Sequence, residues 1–131
     1  MGNKSWEEIV SKIENIDLKE DFDLIVAIGR GGIIPGLIIS KIKKLDFGIL
    51  WLRYRNENKK IIFKEPKFLR KSDFESKNKK VLLVDEVSRT GETMKKAKNI
   101  LKDSEIVKTF VINGEADYSL YNQNCFKFPW D

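Results

Sequence analysis

The stretch Val81-Leu-Leu-Val-Asp-Glu-Val-Ser-Arg-Thr-Gly-Glu-Thr93 decides how this chain is read. Four apolar residues end in two adjacent carboxylates, and a short turn bearing hydroxyls and a glycine leads into helical spacing. Such an order describes a buried strand that carries acids to one edge of a sheet. Ser88, Thr90, Gly91 and Thr93 then form a turn whose hydroxyls and amides suit a phosphate-sized anion, with the start of the next helix behind them. Glu92 contributes its amide there while its carboxylate points outward. The same residues are also compatible with an ordinary helix cap. Asp85 and Glu86 point to opposite faces of a regular strand, so they reach one ligand together only where the backbone turns. Otherwise one caps the helix and the other meets water.

Outward from this stretch, apolar runs alternate with helical spacing. Ser5 and Glu8 have capping-box spacing, and Trp6, Ile9, Val10, Ile13 and Ile16 mark a first helix over about 5–16. Phe22 to Ile28 reads as a strand covered on both faces. Gly29-Arg-Gly-Gly32 breaks it, and Pro35 lies in the first turn of a helix reaching about Lys44. Phe47 to Tyr54 and Ile61 to Phe63 read as strands around the polar Asn56-Glu-Asn-Lys59, and residues 64–79 as charged and irregular. Val81 to Val84 is a central strand and Thr93 to Leu101 a helix. Ile106 to Ile112 is a further strand, with a short terminal one over Phe126 to Phe128. This alternation predicts an α/β fold, a mostly parallel sheet flanked by helices. The Gly29 loop, the loop from Asp85 to Thr93 and the segment from Asn113 to Tyr118 all follow strands, and meet on one rim.

Bulk properties narrow the chemistry. The chain has 131 residues, expected to form one domain, with 41% hydrophobic and 34% charged residues. No apolar run approaches the ~18 residues of a membrane span, and the amino terminus lacks the apolar stretch of a signal peptide. The single cysteine, Cys125, has no partner for an internal disulfide, which points to the cytoplasm. With no histidine, the Ser-His-Asp triad and His-based zinc sites are excluded. Charge is uneven. Residues 1–24 hold three basic and seven acidic groups, whereas 41–80 hold fourteen basic and five acidic ones. The basic middle fits a solvated surface, an anionic small molecule or, less readily, nucleic acid.

Gly29-Arg-Gly-Gly-Ile-Ile-Pro-Gly36 lacks the third glycine of a dinucleotide fingerprint, and the chain has no Gly-Lys-Ser/Thr of a P-loop. What remains is a tight loop with amides, one guanidinium and a helix start, suited to a structural turn or to an anion.

Val81 to Thr93 resembles the signature of the type I phosphoribosyltransferases: apolar residues, two acids, a variable pair, then a Thr-Gly turn. Gly29 to Gly36 is similar to that family's pyrophosphate loop. Asp117-Tyr118 and Phe128-Pro-Trp-Asp131 look like its 6-oxopurine (xanthine, guanine, hypoxanthine) branch. The resemblance covers residues 22–131. It implies transfer of a phosphoribosyl group from phosphoribosyl pyrophosphate to a nucleobase, with Mg²⁺ as cofactor and a homodimeric, cytoplasmic protein. Asp85 and Glu86 would then hold the ribose hydroxyls and the metal, and Asp85, Glu86 and Arg30 would carry catalysis. Ser88, Arg89, Thr90, Gly91, Glu92 and Thr93 would wrap the 5-phosphate. Arg30, Gly31 and Lys64 would hold pyrophosphate. A flexible loop over about 54–66, with Arg55, Lys59, Lys60 and Lys64, would close over the reaction. A reduced hood over about 113–131 would hold the base through Tyr118, Cys125 and Phe126.

Two positions depart from the pattern. Arg89 stands where the 6-oxopurine branch usually carries an Asp that assists proton transfer, and a guanidinium cannot be a general base. Cys125 stands where xanthine-guanine enzymes carry the Trp that stacks on the purine, while Phe128 and Trp130 also fit core or dimer packing. These departures keep a second expectation open, a regulatory protein that binds phosphoribosyl pyrophosphate or a nucleotide without transfer and contacts nucleic acid through the basic middle.

Overall fold

The computed structural model describes residues 3–54 and 60–131. Helix α1 (Trp6–Asn15) starts at Ser5, whose Oγ accepts from the amide of Glu8 at 3.1 Å, and its Ile9 and Ile13 are fully buried. Strand β1 (Leu24–Gly29) leads to helix α2 (Ile33–Lys43), then to β2 (Asp46–Arg53) and β3 (Lys67–Lys71). Strand β4 (Lys80–Ser88), helix α3 (Glu92–Ile100), β5 (Ile106–Gly114) and β6 (Tyr118–Tyr121) complete the order.

The six strands form one sheet in the order β3-β2-β1-β4-β5-β6. Only the β2–β3 pair is antiparallel. The predicted α/β fold, a mostly parallel sheet flanked by helices with a small C-terminal extension, is thus the one adopted. Alternate residues of the central strands feed two cores. Ile25, Leu82, Val84, Phe110 and Ile112 pack with Ile9, Ile13 and Ile39 of α1 and α2. Val26, Ile28, Val81, Leu83 and Val111 pack with Met94 and Ala97 of α3. The chain leaves β1 toward β2 on one side and returns to β4 on the other. That reversal puts a crevice at the carboxyl ends of β1 and β4.

Three local expectations are corrected. The strand beside β2 is β3, within the stretch read as irregular. From Ile61 to Phe63 the recorded pairing is that of the Ile62 amide, which donates to the carbonyl of Tyr54 at 2.9 Å. All five residues of β3 are exposed, so no burial alternation marks it. Backbone pairing and Arg70 lying 4.6 Å above the Trp51 ring hold it instead. The expected turn at 56–59, and with it Arg55 and much of the expected flexible loop, lies outside the described residues.

The last strand is β6 rather than Phe126 to Phe128. Those two phenylalanines are buried and pack on each other with centroids 5.1 Å apart, so aromatic packing replaces ladder bonding. β6 runs parallel to β5 although only residues 115–117 join them, where parallel strands ordinarily need a crossover of a dozen residues or more. Asp117 permits the reversal. Its Oδ2 accepts from the amide and hydroxyl of Thr109 at 2.8 and 3.1 Å, and its own amide donates to Thr109 Oγ1 at 3.0 Å. Finally, β4 extends to Ser88, so Asp85 and Glu86 lie within a strand and not on a turn, yet both side chains lie against the Gly31 loop, within 4 Å of where a Cβ on Gly31 would sit. No helix among the described residues is long and apolar enough to cross a membrane.

Candidate functional site

The rim at the ends of β1 and β4 gathers much of what the sequence nominated. After β1 the chain turns through Arg30 and Gly31 into α2. Gly31 lies so close to β4 that a Cβ on it would sit 3.2 Å from both Asp85 Oδ1 and Glu86 Cβ. A Cβ on Gly32 would collide with the carbonyl oxygen of Val84. Glycine here serves close approach, bringing the Arg30 loop against the two acids.

Asp85 and Glu86 are half-buried. Asp85 Oδ1 accepts from the Glu86 amide at 2.7 Å. Glu86 Oε2 accepts from the indole Nε1 of Trp130 at 2.8 Å. Trp130 in turn stacks on Phe128 with centroids 5.2 Å apart and planes 5° from parallel, and leans on Trp6 at 5.5 Å. Core packing was one reading of Trp130 from the sequence. Its bond to Glu86 was not foreseen, because the partners are 44 residues apart.

Beyond β4 the turn reaches Gly91, whose φ of 80° lies in the left-handed region that glycine adopts without strain. Among the described residues no side chain caps α3, and none caps α2, which starts at Gly32. α1, away from this rim, has its Ser5 cap. Near α3 the local contact is weak, a bond from the Glu92 amide to Thr90 Oγ1 at 3.3 Å. The start of α3 therefore presents amides and positive partial charge to the crevice, whereas at α2 the amides of Gly32 and Ile33 already donate to the carbonyls of Ile28 and Arg30 at 2.8 and 3.1 Å. Ser88 and Thr93 are half-buried beside it, while Arg89, Thr90 and Glu92 are exposed.

On the other side of β4, a cavity of about 220 Å³ lies between segments 87–89, 113–114 and 122–125. Arg89 projects into this region and donates through Nη2 to Cys125 Sγ. Asn113, only 5% exposed, secures the far wall. Its Nδ2 donates to the carbonyl of Gln123 at 3.1 Å and its Oδ1 accepts from the Gln123 amide at 3.0 Å. Sequence reasoning placed the Asn113 segment on the rim but missed this clamp. The one available signal was a polar residue ending the apolar run Phe110-Val-Ile112.

Other nominated residues lie elsewhere. Phe126 is 9% exposed and packs edge-on between Tyr121 and Phe128 within the core. Tyr118 packs edge-on against Phe22, and its hydroxyl accepts from the Lys19 amide at 3.0 Å. Lys64 is exposed on the segment preceding β3, and no contact among the described residues joins it to Arg30. Of Tyr118, Cys125 and Phe126, Cys125 alone lines the cavity.

Among the described residues no group of three His, Cys, Asp or Glu side chains is arranged to hold a metal ion. Two adjacent carboxylates nonetheless suit Mg²⁺, which keeps several waters and draws further ligands from phosphate oxygens.

Residues 4–125 match the family model described as the phosphoribosyl transferase domain. No curated protein matches the chain. Among solved structures it is similar to the purine phosphoribosyltransferase from Pyrococcus horikoshii, at 20% identity and a TM-score of 0.74, covering 98% of this chain and 92% of that one. A Neisseria gonorrhoeae protein with bound ppGpp gives 22% identity, a TM-score of 0.68 and coverage of 100% and 90%. A hypoxanthine-guanine phosphoribosyltransferase from Bacillus anthracis gives 16%, 0.73, and coverage of 95% and 85%. With the strand order, the glycine-mediated approach of α2 to β4 and the acids beside the start of α3, these likenesses agree on one conclusion: the chain belongs to the phosphoribosyl transferase domain family.

Proposed function

We propose that the protein transfers the 5-phosphoribosyl group of phosphoribosyl pyrophosphate to a nucleobase, a 6-oxopurine by branch resemblance, and releases pyrophosphate. The observation that carries this reading is the approach of the Gly31 loop to Asp85 and Glu86, beside a start of α3 that no side chain among the described residues caps. In this reading Asp85 and Glu86 accept from the ribose hydroxyls. The segment from Ser88 to Thr93 donates to the 5-phosphate. Arg30 and the amide of Gly31 take the pyrophosphate, with Lys64 closing from the loop over about 54–66.

As the bond from C1 to the pyrophosphate oxygen breaks, the sugar gains oxocarbenium character and a base nitrogen bonds to C1. The protein contributes alignment and charge: Arg30 offsets the growing negative charge of the leaving group while the acids fix the ring. Mg²⁺, when bound through Asp85, Glu86 and phosphate oxygens, supplies further neutralisation of the pyrophosphate. The segment over about 113–131 would cover the base, with Cys125 beside it. The working form would be a cytoplasmic homodimer.

A second reading, a regulator that binds a nucleotide without transfer, is favoured by Arg89 in place of an acid and by likeness to a protein holding ppGpp. One assay separates the two. With phosphoribosyl pyrophosphate, Mg²⁺ and a panel of purines and pyrimidines, a transferase releases pyrophosphate with at least one base. Tight binding of the sugar pyrophosphate with no turnover on any base would sink the transferase reading.

A further inference from the structure

We propose that the cavity beside β4 takes its acceptor as an anion, a nucleobase that near neutral pH has lost a ring proton or bears a ring carboxylate. The inference rests on the transfer reading above and concerns the part of the site which that reading leaves undefined. Three observations carry it.

The first is charge. Among the described residues the cavity wall holds one guanidinium, that of Arg89, and no carboxylate. Among the described residues Arg89 has no ion-pair partner, and its recorded bond is to the Cys125 sulfur. A guanidinium carries five donors, so most of its donor capacity remains for a ligand. The second is the rest of the wall. Asn122, Gln123 and Asn124 bring side-chain amides that both donate and accept, and so do not favour either charge state. The wall is held in place through Asn113, whose amide is committed to the Gln123 backbone. Arg89 therefore sets the preference. The third is size and place. A volume of about 220 Å³ equals roughly seven waters, the scale of one ring system. Ser88 and Arg89 connect the cavity directly to Glu86 on one side and to the Thr90-Gly91 turn on the other.

Proton balance gives the same answer. A neutral base must lose its ring proton as its nitrogen bonds to C1. Neither Arg89, whose guanidinium is already protonated, nor the side-chain amides of the wall can take that proton. A base that has lost a ring proton needs no acceptor at the site, whereas a base anionic only through a ring carboxylate passes its N–H proton to solvent as the C1–N bond forms. The C1–O bond breaks, pyrophosphate leaves with that electron pair, and the C1–N bond forms.

Calorimetric titration at neutral pH with four nucleoside 5′-monophosphates tests this. Xanthosine and orotidine monophosphates carry anionic rings; inosine and adenosine monophosphates carry neutral ones. All four share the ribose 5-phosphate, so any contact from Arg89 to that group cancels in the ratio of affinities. The wild-type protein is expected to bind at least one anionic-ring nucleotide about tenfold or more tightly than either neutral one. Arg89→Gln should bring that ratio close to one, and Arg89→Lys should retain part of it. Equal affinities in the wild type, or an unchanged ratio in a folded Arg89→Gln, overturn the proposal. Binding of phosphoribosyl pyrophosphate with no binding of any monophosphate also overturns it while sparing the sugar-phosphate reading. Failure of every ligand, phosphoribosyl pyrophosphate included, overturns both.

Discussion

The turn after β4 and the cavity beside it share Ser88 and Arg89, yet they are assembled in different ways. The turn is local: Thr90, Gly91 and the first residues of α3 are consecutive, and their useful groups are backbone amides and small hydroxyls. The cavity is assembled at long range, from the end of β4, the end of β5 and the segment after β6, with Asn113 joining the last two. In the proposed reading the local turn is an anion cradle that survives changes in the rest of the fold and serves the part of the substrate that stays constant. A wall that depends on tertiary placement can vary with the acceptor.

The largest expected effect is on the side of the rim proposed to hold the sugar. Replacing both acids, Asp85→Asn with Glu86→Gln, removes two charge-assisted acceptors worth roughly 1.5–3 kcal/mol each. Affinity for phosphoribosyl pyrophosphate should fall about 10²–10⁴-fold by calorimetry. An unchanged affinity would remove the acids from the ribose site.

Asn113→Ala should act on the other side. It deletes two buried bonds and leaves the Gln123 backbone groups without those partners, a cost of roughly 2–3 kcal/mol. Thermal unfolding should move down by several degrees. Nucleoside monophosphates should lose more affinity than phosphoribosyl pyrophosphate does. An equal loss for both ligands would mean that the two sides are not independent.

Gly91→Ala inverts that pattern. The left-handed backbone costs an L-residue roughly 1–2 kcal/mol, although no neighbouring atom of the described residues lies within 4 Å of the added Cβ. Affinity for the sugar phosphate should weaken about fivefold to twentyfold, with the ratio between anionic and neutral nucleotides unchanged. Trp130→Phe keeps an aromatic ring to pack on Phe128 and loses the indole N–H held by Glu86. The expected change is about 1 kcal/mol, read as a weaker affinity for phosphoribosyl pyrophosphate that Trp130→Phe shares with no purely surface variant.

The smallest effect lies far from the rim. Burial first, then the bond from its hydroxyl to Glu8 and the charge of that carboxylate, push Tyr121 above its ordinary value. The folded protein thus keeps a proton that the unfolded chain releases at high pH. The associated stability is present below about pH 10 and is lost as pH rises further. Tyr121→Phe should flatten that alkaline decline in thermal melts.

Legibility in the sequence followed locality. The cap at Ser5, the buried runs of β1 and β4, and the glycine that starts α3 were readable because each depends on neighbours a few residues away. β3 was not, since an edge strand with every residue exposed needs no alternation and draws its stability from β2. β6 was hidden for another reason. Its short parallel return requires the Asp117 clamp on Thr109, a bond between strands. The terminal phenylalanines have strand-like composition, but aromatic neighbours supplied by the fold make them core.

The same division applies to the site. Periodicity, glycine positions and the run from Val81 to Thr93 determined the α/β layering and the anion-binding character proposed for the rim, because these are short-range properties of backbone and side chain. Tertiary structure alone decided that Glu86 meets Trp130, that Asn113 holds the segment before Cys125, and that Arg89 faces a cavity with no carboxylate among its described lining residues. Those pairings join residues between 10 and 44 positions apart, and such distances close only when the sheet has set its strand order.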